Sequence, residues 1–464
     1  MPNAKIGLEV HGYLKTKEKL FCRCRADYKE TKTKANVNIC PVCTAQPGCK
    51  PMLPNEEAIK KVIAIGLMLG CKINSAPEKK LVWQRKHYNW PDLPKGFQNT
   101  ISGAYSIPVG ESGDYLGIRI RSVHIEEDPA SWNPETGEID YNRCGLPLVE
   151  ITTEPDFNSS KQVRNWLAEL LKILSYVEAI PKNAGIKADV NVSIENGERV
   201  EIKNVNSLYT IEKAIDAEIA RQEIELNSAK SVKRETRRFD EKMRRTVVMR
   251  EKEQAEDYRF IPEPDLPVML LNNMLIDSIK QKLPESHHSK IEKYKSLGVE
   301  DKEAAILAQK REIAEFYEKV IQNYEVDKKL AAHWVTIELL RVLNWNKKDL
   351  KETEIKPAHF SQLLILLQEK KITEAIAKKL LNDFYPKSFL PTEKLRKDKV
   401  ERISDKEEIE KLCKEIINEN KKAVEDYKNG EEKALNFLLG EVMKKSKGQA
   451  ESRIAKEVLV KLLK

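Results

Sequence analysis

No apolar run in this chain approaches the roughly 20 residues that a membrane-crossing helix needs. There is no Gly-x-x-x-x-Gly-Lys-[Ser/Thr] loop, and no Gly-x-Gly-x-x-Gly follows a strand-like run. A bound nucleotide would therefore be held through Mg²⁺ and cationic side chains rather than in a glycine cradle. Gly-x-Ser-x-Gly, a Ser/Lys amidase signature and a Cys–His pair in the setting of a nucleophile are all missing, which argues against an acyl-enzyme. His-Glu-x-x-His is absent too, against a zinc hydrolase. Neither an internal repeat nor a long low-complexity linker interrupts the chain, and Met1-Pro2-Asn3-Ala4-Lys5 has no signal-peptide pattern. The expectation is a soluble, cytoplasmic protein without membrane association.

What is present suits a multidomain protein, since 464 residues allow two to four domains. The net charge of +8 is a mild bias, compatible with a polyanionic partner. Basic residues gather in 230–259 (Lys233-Arg234, Arg237-Arg238, Arg244-Arg245) and in 444–464. Each cluster reads either as a solvated helix face or as phosphate contacts. Strand-like runs occupy 6–14, 115–125, 146–152, 188–194 and 199–202, with an Asn196-Gly197 hairpin turn between the last two. Helical patterns break in at 56–69, 160–176 and 208–225, the first two behind Asn55 and Ser159 as caps. After Pro284 nearly everything has helical period, broken near Pro386 and Pro391. The tail reads as helices over 405–420, 421–427, 431–445 and 450–463. The fold class is α+β: a largely antiparallel sheet with inserted helices over 1–290, an all-helical region over 291–404 and a small helical tail over 405–464.

Of the eight cysteines, Cys22 and Cys24 form a C-x-C pair, and Cys40 and Cys43 form a C-x-x-C pair, the two pairs separated by fifteen residues. In a chain expected in a reducing compartment, this spacing predicts a tetrahedral Zn²⁺ site. Four thiolates leave no open coordination position, so the Zn²⁺ would be structural. Cys49, Cys71, Cys144 and Cys413 read as small buried residues.

Glu9 and His11 stand two apart in a strand-like run, so they share one face while Leu8 and Val10 share the other. His124-Ile125-Glu126-Glu127-Asp128 and Glu150 supply matching pieces. Taken singly, these are a core histidine, a solvated acidic turn and a strand-end acceptor. Stacked near one sheet, such carboxylates repel one another and call for a cation, and hard oxygen ligands suit Mg²⁺ beside a phosphate. Arg85, Lys86 and Arg143 are candidate phosphate cations, with Tyr88 close by. Asp189, Asn191, Glu201, Lys203, Asn204 and Asn206 form a second polar set, either part of the site or a solvated sheet face.

Several longer stretches resemble one family. They are Gly7-Leu8-Glu9-Val10-His11, Arg85-Lys86-His87-Tyr88-Asn89-Trp90-Pro91-Asp92, His124-Ile125-Glu126-Glu127-Asp128, Asp140-Tyr141-Asn142-Arg143-Cys144-Gly145-Leu146-Pro147, Asp257-Tyr258-Arg259-Phe260 and the tail's Phe437-Leu438-Leu439-Gly440-Glu441. In this order they look like the B subunit of the aspartyl/glutamyl-tRNA amidotransferase. The resemblance implies a cradle-shaped catalytic domain followed by helical and tail domains that bind tRNA. It implies ATP- and Mg²⁺-dependent phosphorylation of the side-chain carboxylate of Glu-tRNA(Gln) or Asp-tRNA(Asn), then amidation. His11, Glu127 and Glu150 would ligate Mg²⁺ with Glu9 close by, and Lys86 would neutralise phosphate. Arg85, Tyr88, Arg143, Asp189, Asn191, Lys203 and Asn204 would contact ATP or substrate. Ammonia would come through a channel from an amidase-type A subunit, with a small C subunit completing a heterotrimer. Pro129-Ala130-Ser131 departs from the family's usual Ala-Gly-Lys, so the resemblance does not extend to a phosphate contact by that lysine. The related E subunit carries a large inserted domain that this chain lacks. A rival reading keeps the zinc and the tRNA but makes the chain a non-catalytic binding module of the same complex.

Overall fold

A computed structural model describes all residues except 1–3, 29–32, 77, 89–92, 94, 182–184, 252–258, 323, 399–405, 447 and 464. Asn89, Trp90, Pro91, Asp92, Asp257 and Tyr258, which belong to the motifs above, lie outside the described residues. The chain divides into two compact units, Met1–Ser286 and His287–Lys464.

The first unit is organised by a twelve-stranded sheet. Ten strands form its main path: β1 Lys5–Tyr13, β2 Gln84–His87, β3 Gln98–Thr100, β4 Ile118–Glu127, β5 Pro147–Thr153, β6 Ile186–Ser193, β7 Val200–Val205, β8 Glu235–Asp240, β9 Arg245–Glu251 and β10 Arg259–Pro262. Their spatial order is β9-β8-β7-β6-β1-β5-β4-β3-β2-β10. Strands Lys72–Ile73 and Gly110–Tyr115 pair off this path. The pairings are antiparallel except for β7 with β8, which run parallel with Glu201 opposite Thr236. The α+β class expected from the sequence is the class found.

Period-two alternation gives the sheet one apolar and one polar face. Ile6, Leu8 and Val10 of β1, Val123 and Ile125 of β4, Val149 and Ile151 of β5, and Val190 and Val192 of β6 are all buried in one core. Helices α1 Glu56–Met68, α2 Ser160–Tyr176 and α3 Leu208–Asn227 contribute Val62, Leu167, Leu170 and Ile211 to that core. Each such aliphatic side chain contributes about 1.5–3 kcal/mol on burial. Asn55 caps α1 by accepting from Glu57 N and Ala58 N, and Ser159 caps α2 by accepting from Gln162 N. The predicted turn at Asn196 forms, with Asn196 in the left-handed region at φ 64°.

In β4 the alternation changes phase. A register shift between Ile120 and Ser122 leaves Ile118 and Ile120 in the core on one side, and Val123 and Ile125 on the other. The bulge thereby aims His124 and Glu126 at the polar face. The β8–β9 hairpin is fastened to α3 by a buried ionic network, and Phe239 packs against the apolar core. Arg237 donates to Glu235 at 2.5 Å and to Thr246 Oγ1 at 2.9 Å, and Thr246 Oγ1 donates to Glu218 at 2.6 Å. Arg237, within one of the basic clusters, is thus a buried strand residue and not part of a solvated helix face.

The second unit is helical among its described residues. One core gathers Tyr294, Tyr317, Trp334, Phe360 and Phe384. Another gathers Ile409, Leu438, Val442 and Leu459 from the helices Lys406–Glu419, Glu432–Lys445 and Ser452–Leu463.

Candidate active site

The polar face of the central strands brings the acidic–imidazole set together. The registers place His11 opposite Glu150, Glu150 opposite His124, and Glu9 opposite both Thr152 and Asp189. His11 Nε2 lies 3.6 Å from Glu126 Oε1 and 3.6 Å from Glu150 Oε2. One ligand atom from each of His11, Glu126 and Glu150 falls within 4.8 Å of the others. Glu126 Oε2 is buried and has no hydrogen-bond partner. A carboxylate oxygen aimed into such a cluster without a donor is suited to a divalent cation, so the donor set fits Mg²⁺.

Glu127, the expected third ligand, is not brought to this cluster. Neighbouring residues on a strand face opposite ways, so Glu126 takes the place beside His11 and Glu127 turns to the other side. There the Glu127 carboxylate accepts from Asn99 N at 2.9 Å and pairs with Lys95. Arg85 departs from the expected set for the same reason. Lys86 lines the site, whereas Arg85 grips Glu263 at 2.6 and 2.9 Å and lies 4.5 Å from the centre of the Phe97 ring.

The electrostatics follow from crowding. Burial and the neighbouring Glu150 charge push the Glu126 carboxyl up to about 7, against the pull of Lys86 and His11. Burial opposes charge on His11, but the hydrogen bond to Glu150 and the Glu126 charge raise it to about 9. Burial works against Glu150 as well, yet the His11 hydrogen bond and charge hold it well below the usual carboxylate range. Glu9 is raised, by burial first and then by Glu150.

A cavity of 340 Å³ opens over the cluster. His11, Glu126, Lys86, Tyr88, Arg143, Lys187, Asp189, Lys203 and Asn204 are among its lining residues. Arg143 holds Asp128 through two bonds of 2.7 and 2.9 Å, and Tyr13 Oη donates to Asp128 at 2.7 Å. Lys203 bridges Asp189 at 2.6 Å and Glu201 at 2.7 Å, and Asn204 N donates to Asp189 at 2.8 Å. Asn204 sits at φ 56° beside a register shift in β6, which is how its amide reaches that carboxylate. Asn191 contacts Glu9 at 3.4 Å. Among the second polar set, Asp189, Asn191, Lys203 and Asn204 therefore join the site's face. Glu126 and Lys187 were missed as site residues, although strand parity counted from His124, beyond the bulge, and across β6 marks both.

The sulfur atoms of Cys22, Cys24, Cys40 and Cys43 lie within 4.8 Å of one another. Cys40 N donates to Cys43 Sγ at 3.2 Å. A hydrogen bond from Cys22, assisted by Lys19 against the effect of burial, lowers the Cys43 thiol to about 5. Four converging thiols fit Zn²⁺. Cys71, Cys144 and Cys413 are buried as expected, but Cys49 is exposed.

Residues 4–277 match the family model of the GatB/GatE catalytic domain, and residues 315–463 match that of the GatB domain. A B subunit of the aspartyl/glutamyl-tRNA(Asn/Gln) amidotransferase from Methanothermobacter thermautotrophicus is 43% identical over 456 residues, covering 98% of this chain and 99% of the relative. The protein of the same description from Methanopyrus kandleri is 41% identical over 462 residues, covering 99% and 98%. That from Methanocaldococcus jannaschii is 39% identical over 465 residues, covering 98% and 97%. The chain belongs to the family of aspartyl/glutamyl-tRNA(Asn/Gln) amidotransferase B subunits.

Proposed function

We propose that the cavity phosphorylates the side-chain carboxylate of Glu-tRNA(Gln) or Asp-tRNA(Asn) with ATP and then converts it to the amide. The observation that carries this reading is the convergence of His11, Glu126 and Glu150, with an unpartnered buried carboxylate oxygen, in a cavity also walled by Lys86, Lys187, Arg143 and Lys203. Such a mixture serves phosphoryl transfer, in which protein groups chiefly position the reactants and offset charge.

A carboxylate is a poor electrophile because it is anionic and its oxygen leaves badly. In the first step a carboxylate oxygen of the aminoacyl group attacks the γ-phosphorus, the bond to ADP breaks, and ADP departs with the electron pair. In the second, ammonia adds to the acyl carbon, loses a proton, and inorganic phosphate leaves with the electron pair of the broken C–O bond. Mg²⁺ held by His11, Glu126 and Glu150 would supply charge stabilisation to the phosphoryl oxygens. Lys86 and Lys187 would offset charge on the phosphates, and Arg143 would keep the Asp128 wall in place. Lys203, already shared between two carboxylates, would orient Asp189 and Asn204 toward the substrate.

The chain carries no glutaminase nucleophile motif, which supports ammonia supply by an amidase-type A subunit, with a small C subunit in the same complex. The relatives' shared description supports misacylated tRNA as the substrate. The four cysteines would hold a structural Zn²⁺. The test is transamidation by the reconstituted complex with each misacylated tRNA in turn. We expect ATP turnover that requires both Mg²⁺ and misacylated tRNA, and on the order of a 10²-fold loss of rate in His11→Ala and Glu150→Ala. Wild-type rates from ammonia in folded, complex-bound variants would overturn the assignment. Zinc-loaded complex that binds tRNA but has no Mg²⁺-dependent ATP turnover would favour the non-catalytic module.

A further inference from the structure

Lys19 is a buried lysine with an exposure of 1%. Its Nζ donates to Asn38 O at 2.8 Å, to Tyr141 O at 3.4 Å and to Cys43 Sγ at 3.6 Å. Among the described residues it forms no ion pair with a carboxylate. Carbonyl oxygens satisfy an ammonium's donors but not its charge, and an isolated buried charge is strongly disfavoured. Of the three groups that its Nζ contacts, only the Cys43 sulfur can carry a negative charge. Four thiolates around a divalent cation carry a net charge of −2 (four negative, two positive), which itself calls for a nearby cation.

We propose that Lys19 is the counter-charge of a tetrathiolate metal centre formed by Cys22, Cys24, Cys40 and Cys43, and that it ties this centre to the wall of the catalytic cavity. The proposal rests on the zinc reading given above. The tie is visible in backbone amides that donate to side-chain oxygens across the two segments. Asn36 N donates to Asp140 at 3.0 Å, Val37 N and Asn38 N both donate to Asn142 Oδ1 at 2.9 Å, and Tyr141 N donates to Asn36 at 2.8 Å. Lys19 closes this zipper by holding Asn38 and Tyr141 with one ammonium. Cys144 Sγ adds a bond to Cys43 O at 3.0 Å. Between Tyr141 and Cys144 lie Asn142 and Arg143, and Arg143 is the residue that grips Asp128 in the cavity. Lys19 is thus a positioning residue: metal retention and the placement of Arg143 depend on the same side chain.

The test compares wild type, Lys19→Met, Lys19→Gln and Lys19→Arg as full-length chains in the complex. Zinc content is measured on the purified proteins, and release to a chromogenic chelator is followed with time. The thiolate-to-cobalt charge-transfer band is recorded on cobalt-substituted samples, with near-ultraviolet circular dichroism as the folding control. We expect zinc release to quicken roughly 10–100-fold in Lys19→Met and Lys19→Gln, the usual scale for losing a partner of a metal ligand, and to stay near wild type in Lys19→Arg. If Lys19→Met does not fold, the Gln and Arg variants decide, because they separate charge from hydrogen bonding. Equal release from wild type and a folded Lys19→Gln protein would overturn the role of Lys19 and leave the zinc reading standing. A wild-type chain that takes up neither zinc nor cobalt would overturn both.

Discussion

Glu126 and Glu127 are adjacent and chemically alike, yet the fold gives them different neighbours. Glu126 faces His11 and Glu150, and Glu127 faces Lys95 and Asn99. Removing one charge from each separates the roles. Glu126→Gln should weaken activation by Mg²⁺, seen as a rise in the metal concentration giving half-maximal ATP turnover, by on the order of tenfold or more. Glu127→Gln should leave that concentration near wild type. The reverse order would refute the ligand assignment. The sequence marked the acidic pair, and the family resemblance joined Glu127 to His11 and Glu150, whereas the fold brings Glu126 there. That choice depends on strand parity, and the bulge between Ile120 and Ser122 changes it before the acids are reached. A pH effect belongs to this scale as well. In the second unit, Glu318 is held below its ordinary value: burial opposes this, but hydrogen bonding and charge from Lys290, with help from Lys293, prevail. Lys290 Nζ meets both Glu318 oxygens at 2.7 Å. A depressed carboxylate contributes stability above its unfolded pKa of about 4.3 and loses it as pH falls through the folded value. Lys290→Met should therefore lower the unfolding midpoint at pH 7, and the difference from wild type should shrink below about pH 4.

At the scale of elements, legibility followed the clarity of the local pattern. β1 alternates without interruption, and helices α1 and α2 begin behind side-chain caps, so all three could be read directly. The β8–β9 hairpin could not. Its alternation is hidden under Arg237, Arg238, Arg244 and Arg245, and much of its attachment is ionic, with Arg237 reaching Glu235 and Thr246 while Thr246 reaches Glu218 on α3. The parallel pairing of β7 with β8 had no local signature either, because it is set by the return of the chain after α3. Breaking a buried ionic network by removing one member leaves its partners uncompensated. Arg237→Ala should destabilise the first unit by about 3–5 kcal/mol, measured by denaturant unfolding. Leu167→Ala, which opens a cavity in the apolar core under α2, should cost about 2–5 kcal/mol by the same measurement. The two variants would separate in binding studies: the arginine change should also weaken substrate binding, since Thr236 and Met249 of that hairpin line the cavity.

On the scale of the whole molecule, the division into Met1–Ser286 and His287–Lys464 assigns the cavity entirely to the first unit. Expressed alone, the first unit should keep a cooperative unfolding transition, followed by circular dichroism, because its core is formed from its own strands and helices. A transition that broadens into noncooperative melting would show that its folding depends on the second unit. Within that first unit, the central sheet separates two kinds of selection. A saturation scan of β1, β4, β5 and β6 should show a two-residue rhythm: abundance falls at one set of positions, while turnover falls at the intervening set with abundance kept. In β4 that rhythm should skip a beat between Ile120 and Ser122. A one-residue deletion after the bulge would shift its phase, exchanging acids for aliphatics across the sheet and harming both traits at once.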